Sequence, residues 1–245
     1  MGTPDLDRAT TVPAKEALRA LMGLAIFGER IAARTYVAMA ELRAEHRDLL
    51  RRFAAMEAGH GTSFAQASAA NGVEPDRAFA ERELGYLTDQ VDEYAGAGDF
   101  DALAVLQGFI VESLAIATYE PFLTVAPRFP GTGAAFAQAL DDERYHVEWI
   151  VRYFRLRYFD GEDELVTLAA RVNQRGVDCV GGTMMNIARH LDTIGMSGAD
   201  CAAGMMDGYA GLLERVGLEQ RAALRNVLGL FAPLMTKYRR GERTK

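Results

Sequence analysis

Two copies of the motif Glu-x-x-His constrain the fold of this 245-residue chain more than any other feature. The first copy pairs Glu57 with His60, and the second pairs Glu143 with His146. A spacing of three residues places both side chains of a pair on one face of an α-helix. Each copy falls in a long segment with helical periodicity. The motifs therefore predict two helices that direct carboxylate and imidazole groups towards a common interior point.

Two other long helical segments each carry a single glutamate among apolar residues, Glu29 and Glu112. A buried glutamate without a partner is costly, so both residues require an explanation. The order along the chain is Glu, Glu-x-x-His, Glu, Glu-x-x-His, which is the ligand set of ferritin-like helical bundles that bind two iron or manganese ions. Four carboxylates offset the charge of two divalent metals, and imidazole suits iron better than magnesium or calcium. The predicted ligands of two Fe²⁺/Fe³⁺ ions are Glu29, Glu57, His60, Glu112, Glu143 and His146. The same donors would accept a Mn/Fe or Mn/Mn pair.

Helical periodicity and chain breakers predict an all-α fold, with a ferritin-like four-helix bundle core and additional C-terminal helices, about eight in all. Capping and turn residues such as Asp99 and Gly131 separate the segments. The predicted helices cover about 14–43, 47–70, 77–96, 99–126, 133–159, 162–180, 183–194, 198–216 and 219–236. We expect a disordered leader over 1–13, a single di-iron domain over 14–236 and a basic tail over 237–245.

The composition excludes several classes of function. A net charge of −7 argues against a large nucleic-acid-binding surface. Only two cysteines, Cys179 and Cys201, occur, and they form no metal or disulfide framework. The most apolar stretch, 102–117, contains Gln107 and Glu112 and is shorter than a membrane span requires. We therefore expect a cytoplasmic protein without a membrane span.

Other residues lie on the same helical faces as the predicted ligands. Tyr36 and Tyr119 each follow a ligand glutamate by seven residues, or two turns, so they either hydrogen-bond or pass electrons there or are ordinary core residues. Asp142, beside Glu143, and its neighbour Asp141 are candidates to orient a ligating histidine. Small residues near the ligands either leave room for a substrate channel or allow close helix packing. These residues are Ala25, Gly108 and Ala115.

The flanking residues narrow the interpretation further. They include Gly28-Glu29 with Tyr36, Met56-Glu57-x-x-His60 with Phe64, Gln107 followed by Ile110-Val111-Glu112-Ser113, and Tyr209 with Leu213-Glu214. Over roughly residues 20–220 the chain resembles the cyanobacterial aldehyde-deformylating oxygenases, once called aldehyde decarbonylases. The resemblance implies an eight-helix ferritin-like domain, the six metal ligands named above and an apolar substrate channel. It also marks Gln107 as a residue beside the ligands. Family members convert long-chain aldehydes to alkanes and formate with O2 and external electrons.

Two departures from that family bear on the substrate. Ser68 stands where the family usually has cysteine, and Glu120 adds an acid beside Tyr119. These polar residues favour a small or medium nitrogen-containing natural-product intermediate, so N-oxygenation or azoxy formation from an amine or hydrazine is the predicted reaction. Deformylation of long-chain fatty aldehydes is the alternative. An iron-storage or structural metal protein is the alternative from another class.

The predicted oxygenase or oxidase activity needs a source of electrons. O2 as co-substrate leaves ferric ions, and the sequence offers neither a cysteine cluster for iron–sulfur nor a Gly-x-Gly-x-x-Gly motif for a flavin or nicotinamide. We therefore predict an external donor such as a ferredoxin with its reductase. A monomer or homodimer is expected, since ferritin-type cages are built from shorter subunits.

Overall fold

The computed structural model describes residues 11–159 and 161–218, without the side chains of 162 and 173–181. Within these ranges the chain forms eight α-helices and no strand. The helices are α1 (Val12–Leu42), α2 (Arg47–Ala70), α3 (Arg77–Gly96), α4 (Phe100–Val105), α5 (Glu112–Val125), α6 (Thr132–Arg157), α7 (Glu162–Thr193) and α8 (Gly198–Arg215). The all-α prediction is confirmed. Residues 1–10, the predicted helix 219–236 and the predicted tail 237–245 lie outside the described ranges.

Side-chain caps set several helix starts where the sequence predicts them. The side chain of Asp99 accepts a hydrogen bond from the amide of Ala102, and Asp76 does the same for Phe79. Helix α1 begins at Val12, two residues earlier than expected, because Thr11 caps it. These caps satisfy amide groups that the first turn of a helix leaves without partners.

The helix after Asp99 is continuous but not uniform. Between α4 and α5, residues Leu106–Val111 form a π-helical turn, which the sequence analysis did not predict. A π turn closes hydrogen bonds over five residues instead of four, so side chains five apart move closer together than in an α-helix. Gly108 lies in this turn, and a Cβ atom there would come within 2.6 Å of Ile150 in α6. Of the two roles considered for Gly108, close helix packing is the one the structure supports.

Four of these segments form the core of the bundle. Helix α1 packs along α2, α5 packs along α6, and α2 also contacts α6. Helix α3 packs on α1 and α7, and α8 packs on α5 and α7. The apolar stretch 102–117 belongs to a longer helical run, Phe100–Arg128, which is long and apolar enough to cross a membrane, yet 83% of its apolar window is buried inside the bundle. Such burial is typical of the central helix of a bundle.

The predicted break at Gly181-Gly182 is wrong, because α7 is one helix from Glu162 to Thr193. Glycine disfavours a helix by about 1 kcal/mol per residue, so the sequence alone favours a break. Contacts with α3 oppose it: the Thr183 hydroxyl donates to the Glu83 carbonyl at 2.7 Å, and Asn186 donates to the Glu83 carboxylate at 2.8 Å. Tertiary packing thus overrides local propensity.

Candidate metal centre

The six predicted ligands meet at the centre of the bundle, where all of them are buried. One group contains Glu29, Glu57, His60 and Glu143, and another contains Glu57, Glu112, Glu143 and His146. Within each group the potential ligand atoms lie within 4.8 Å of one another. Two carboxylates belong to both groups, and each group adds one further glutamate and one histidine of its own. This arrangement suits two metal ions bridged by two carboxylates.

The two Glu-x-x-His helices place each imidazole against carboxylates. Nδ1 of His60 lies 3.1 Å from Glu57 and 3.2 Å from Glu29. Nδ1 of His146 lies 3.2 Å from Glu143 and 3.1 Å from Glu57. Both histidines therefore direct the same ring nitrogen towards the carboxylates, which leaves Nε2 free for another partner.

The outer nitrogens of the two histidines differ. Nε2 of His60 contacts Asp142 at 2.9 Å, so of the two candidate aspartates Asp142 is the one that contacts a histidine. Its neighbour Asp141 is exposed and lies 3.7 Å from Arg144 instead. Nε2 of His146 is buried without a hydrogen-bond partner in the described part of the chain. The candidate metal position that contains His60 therefore has a carboxylate next to its outer imidazole nitrogen, whereas the one that contains His146 has none among the described residues.

Tyr36 and Tyr119 each donate a hydrogen bond across the bundle to a glutamate that belongs to only one of the two groups, here called a terminal glutamate. The Tyr36 hydroxyl on α1 donates to Glu112 on α5 at 2.7 Å, and the Tyr119 hydroxyl on α5 donates to Glu29 on α1 at 2.6 Å. Each tyrosine therefore fixes the glutamate of the opposite helix and not the one that precedes it in sequence. Gln107 also donates to Glu112, at 3.0 Å, across the π turn.

Burial and mutual proximity perturb the ionisation of the cluster. Burial raises the pKa of Glu29 and of Glu143 well above its usual range. For His60, burial lowers the pKa but hydrogen bonds to carboxylates outweigh it and raise the pKa to about 11; the same balance raises that of His146 to about 9. Burial also acts to raise the pKa of Glu57, but its two histidine neighbours lower it to about 2. In the absence of metal, the carboxylates are thus neutralised by protons and imidazolium ions. The donor set fits two divalent cations, which would replace that positive charge.

An apolar cavity reaches the cluster from one side. Five polar residues line it: Glu29, Glu112 and Glu143 of the cluster, with Thr118 and Tyr119. The remaining lining is small or apolar and comes from α1, α3, the π turn, α5, α6, α7 and the loop after α7. It consists of Leu21, Leu24, Ala25, Gly28, Ile31, Ala32, Leu84, Leu87, Ile110, Val111, Leu114, Ala115, Phe122, Phe136, Ile187, Leu191 and Met196. Ala25 and Ala115 line this cavity, so for these two residues the structure supports the first role considered, that of leaving room for a substrate channel.

Known proteins resemble this chain in sequence and fold. The family described as long-chain fatty aldehyde decarbonylase matches residues 13–230. The chain belongs to the long-chain fatty aldehyde decarbonylase family. Among solved structures, a protein from Synechococcus described as having aldehyde deformylating oxidase activity superimposes with a TM-score of 0.80. It shares 27% sequence identity, and the alignment covers 89% of this chain and 98% of that one. These matches confirm the resemblance, the ferritin-like fold and an enzyme of the oxidoreductase type.

The predicted preference for a nitrogen-containing substrate is wrong. The decarbonylase family and the Synechococcus protein are both described by their action on aldehydes. The two polar departures also lie away from the cavity: Glu120 is exposed and pairs with Arg144 at 3.2 Å. Ser68 is buried, but its hydroxyl donates to the Phe64 carbonyl of its own helix at 2.8 Å. Neither residue gives the cavity a polar wall.

Sequence reasoning missed part of this decarbonylase site. Four apolar residues on α3 and α7 line the cavity: Leu84, Leu87, Ile187 and Leu191. They were not predicted, because the sequence points to the helical faces that carry the ligands and these two helices carry none. Their spacings of three and four residues mark apolar faces and could have indicated them. Phe53, one turn before Glu57, was also missed; its ring centroid lies 4.4 Å from that of His146.

Proposed function

We propose that this protein deformylates long-chain fatty aldehydes, releasing the alkane and formate, with two iron ions, O2 and electrons from an external donor. The observation that carries the proposal is the apolar cavity whose lining includes three glutamates of the cluster, Glu29, Glu112 and Glu143. An unbranched hydrocarbon chain needs apolar walls along its length and polar groups only at its reacting end. Membership of the decarbonylase family supports the same substrate class.

The ligand set assigns a role to each side chain. Glu57 and Glu143, which belong to both groups, would bridge the metals. Glu29 with His60 would complete one position, and Glu112 with His146 the other. Iron bound there would supply a site at which O2 is activated and electrons are stored. The same donors would hold a Mn/Fe or Mn/Mn pair, since these residues discriminate weakly between neighbouring metals.

The surrounding residues keep the ligands in place and water out. Tyr119 and Tyr36 hold the terminal carboxylates, Gln107 supports Glu112, and Asp142 fixes the ring of His60. The cavity encloses only about 80 Å³, so apolar side chains along it must rotate to admit a long aldehyde. A narrow apolar passage that opens for substrate would exclude water from the reacting end.

The reaction also depends on a partner. The sequence carries no cysteine cluster that would hold an iron–sulfur group, so electrons would come from a separate carrier such as a ferredoxin with its reductase. We further propose a cytoplasmic monomer or homodimer, a single di-iron domain over 14–236, a leader over 1–13 and a tail over 237–245.

Product analysis tests the proposal directly. Protein loaded anaerobically with Fe(II) is supplied with octadecanal, O2 and a reducing system, and heptadecane and formate are quantified. We expect equal amounts of both products, and neither from Glu112→Gln. Glu120→Gln is the matched control, because Glu120 is exposed and its only ion-pair partner among the described residues is Arg144. Folded, iron-loaded protein that makes neither product would refute deformylation.

A further inference from the structure

A continuous series of aromatic rings connects the protein surface with His146. The fully buried ring of Phe53 lies 4.4 Å from the imidazole of His146, measured between centroids. On its other side Phe53 contacts Tyr145 at 5.5 Å and Trp149 at 5.9 Å. Tyr145 is 55% exposed. One candidate metal position is therefore linked to solvent through two ring contacts.

The other metal position has no such link. Nε2 of His60 contacts Asp142, and no aromatic ring packs against His60 in the part of the chain that the structure describes. The ring of Phe64, also on α2, packs on Phe136 and Tyr119 inside the bundle. The series of rings is thus specific to the side of His146.

Arginine is concentrated at the start of α2 and the end of α6, beside this series of rings. The exposed acids nearest to Tyr145 on α6, Asp141 and Glu148, are each paired with an arginine. His46 contacts Trp149 and Tyr153, so the start of α2 lies beside the last turns of α6. Segments 47–52 and 152–157 together carry six arginines and one acidic residue, although the whole chain has a net charge of −7. Three of these arginines are exposed and have no ion-pair partner among the described residues. They are Arg52, Arg152 and Arg155.

Two exposed side chains with apolar surface lie on one face of α6. Leu156 is 77% exposed, and Tyr145 lies on the same helical face, eleven residues earlier. Aromatic residues and arginine are enriched in protein–protein interfaces, and local charge steers a partner of opposite sign. We name the combination of Arg52, Tyr145, Arg152, Arg155 and Leu156 the α2/α6 surface.

We infer that the α2/α6 surface binds an acidic one-electron carrier protein, and that Phe53 mediates electron passage from it to the metal held by His146. In each encounter the reduced carrier would give up one electron, which iron held by the six candidate ligands would accept; no covalent bond would form or break. Two encounters would supply the two electrons that a pair of ferric ions needs. The inference rests on the proposed function only in requiring an external reductant.

Binding is tested with the full-length, iron-loaded protein and an acidic [2Fe–2S] ferredoxin as the probe. Titration calorimetry at low and high ionic strength gives Kd for the double variant Arg52→Glu/Arg152→Glu. Reversal of two interface charges should weaken binding by about tenfold and reduce its salt dependence. The control Arg77→Glu/Arg189→Glu changes the net charge equally at exposed positions of α3 and α7 and should bind like wild type. Equal weakening in both variants would exclude this docking surface.

Electron passage is tested by a matched pair of buried phenylalanines on α2, Phe53 and Phe64. Reduction of the oxidised metal centre is followed by stopped-flow absorbance, with the ferredoxin or dithionite as reductant. Phe53→Leu should lose the fast phase of reduction by ferredoxin, with Kd, iron content and reduction by dithionite unchanged. Phe64→Leu should keep that phase. Loss of the phase in both variants, or in neither, would refute the route. Since no aldehyde is present, failure of deformylation would leave these results unaffected.

Discussion

The contact between His60 and Asp142 predicts that the two metal positions respond differently to one substitution. Nδ1 of His60 faces the carboxylates, so it would have to lose its proton to bind a metal, and the imidazole would then keep its one proton on Nε2. Asp142 accepts from Nε2 at 2.9 Å and thereby selects this tautomer and fixes the ring. No equivalent acceptor supports His146 among the described residues. Asp142→Asn should therefore weaken only the metal position that contains His60.

The size of the effect follows from the bond that is lost. A hydrogen bond to a charged group contributes about 1.5–3 kcal/mol, and loss of such an outer partner weakens metal binding by about 10–100-fold. Asparagine keeps an acceptor oxygen but loses the charge, so Asp142→Asn should weaken metal binding by about tenfold, the lower limit of that range. Asp142→Ala, which removes the acceptor altogether, should approach the upper limit.

Anaerobic titration calorimetry with Fe(II) measures both positions. We expect binding isotherms of Asp142→Asn to separate into one tight and one weakened step. The control is Asp141→Asn, because the side chain of Asp141 is 77% exposed and pairs with Arg144, its only ion-pair partner in the described part of the chain. Equal weakening of both positions, or an isotherm identical to that of Asp141→Asn, would show that the contact with His60 does not orient a ligand.

Three further predictions concern the same cluster. Tyr119→Phe removes the donor that lies 2.6 Å from buried Glu29 and should destabilise the iron-loaded protein by about 1–3 kcal/mol, so an unchanged Tm would contradict this role. Gly28→Leu should retain iron but lose alkane formation from octadecanal. A Cβ atom at Gly28 meets nothing within 4 Å, so the leucine side chain can enter the cavity that Gly28 lines. Undiminished product would exclude the cavity as the substrate route. Metal binding at neutral pH should release protons, because the pKa of about 11 for His60 and about 9 for His146 leaves both imidazoles protonated in the metal-free protein. Iron affinity should therefore rise with pH up to about 11, less steeply above about 9, and a pH-independent affinity would be inconsistent with this protonation.

Much of the metal centre could be predicted because ligand spacing and helix periodicity are local properties. A pair three residues apart, such as Glu57 and His60, shares a helical face whatever the tertiary structure. Caps such as Asp99 act within one turn of their own residue, so helix starts are readable from sequence. The grouping of the six candidate ligands and most helix boundaries follow from these short-range rules.

The features that escaped prediction depend on neighbouring helices. The pairing of Tyr36 with Glu112 joins residues 76 positions apart, so periodicity within α1 could not identify it. The π turn was missed because one additional residue in a turn barely alters apolar periodicity over a long helix. Glu120 was wrongly assigned to the substrate because its position beside Tyr119 says nothing about direction: adjacent helical residues point to different sides.

The two sides of the cluster have different neighbours, and this separates substrate from electrons. The cavity meets Glu29, Glu112 and Glu143, whereas none of its lining residues is a histidine. The aromatic series instead ends on His146 through Phe53, which does not line the cavity. An aldehyde would therefore approach the metals from the carboxylate side while electrons approach through an imidazole. A carrier bound at the α2/α6 surface would not compete with the aldehyde, so electrons could be delivered while the substrate remains enclosed and water excluded.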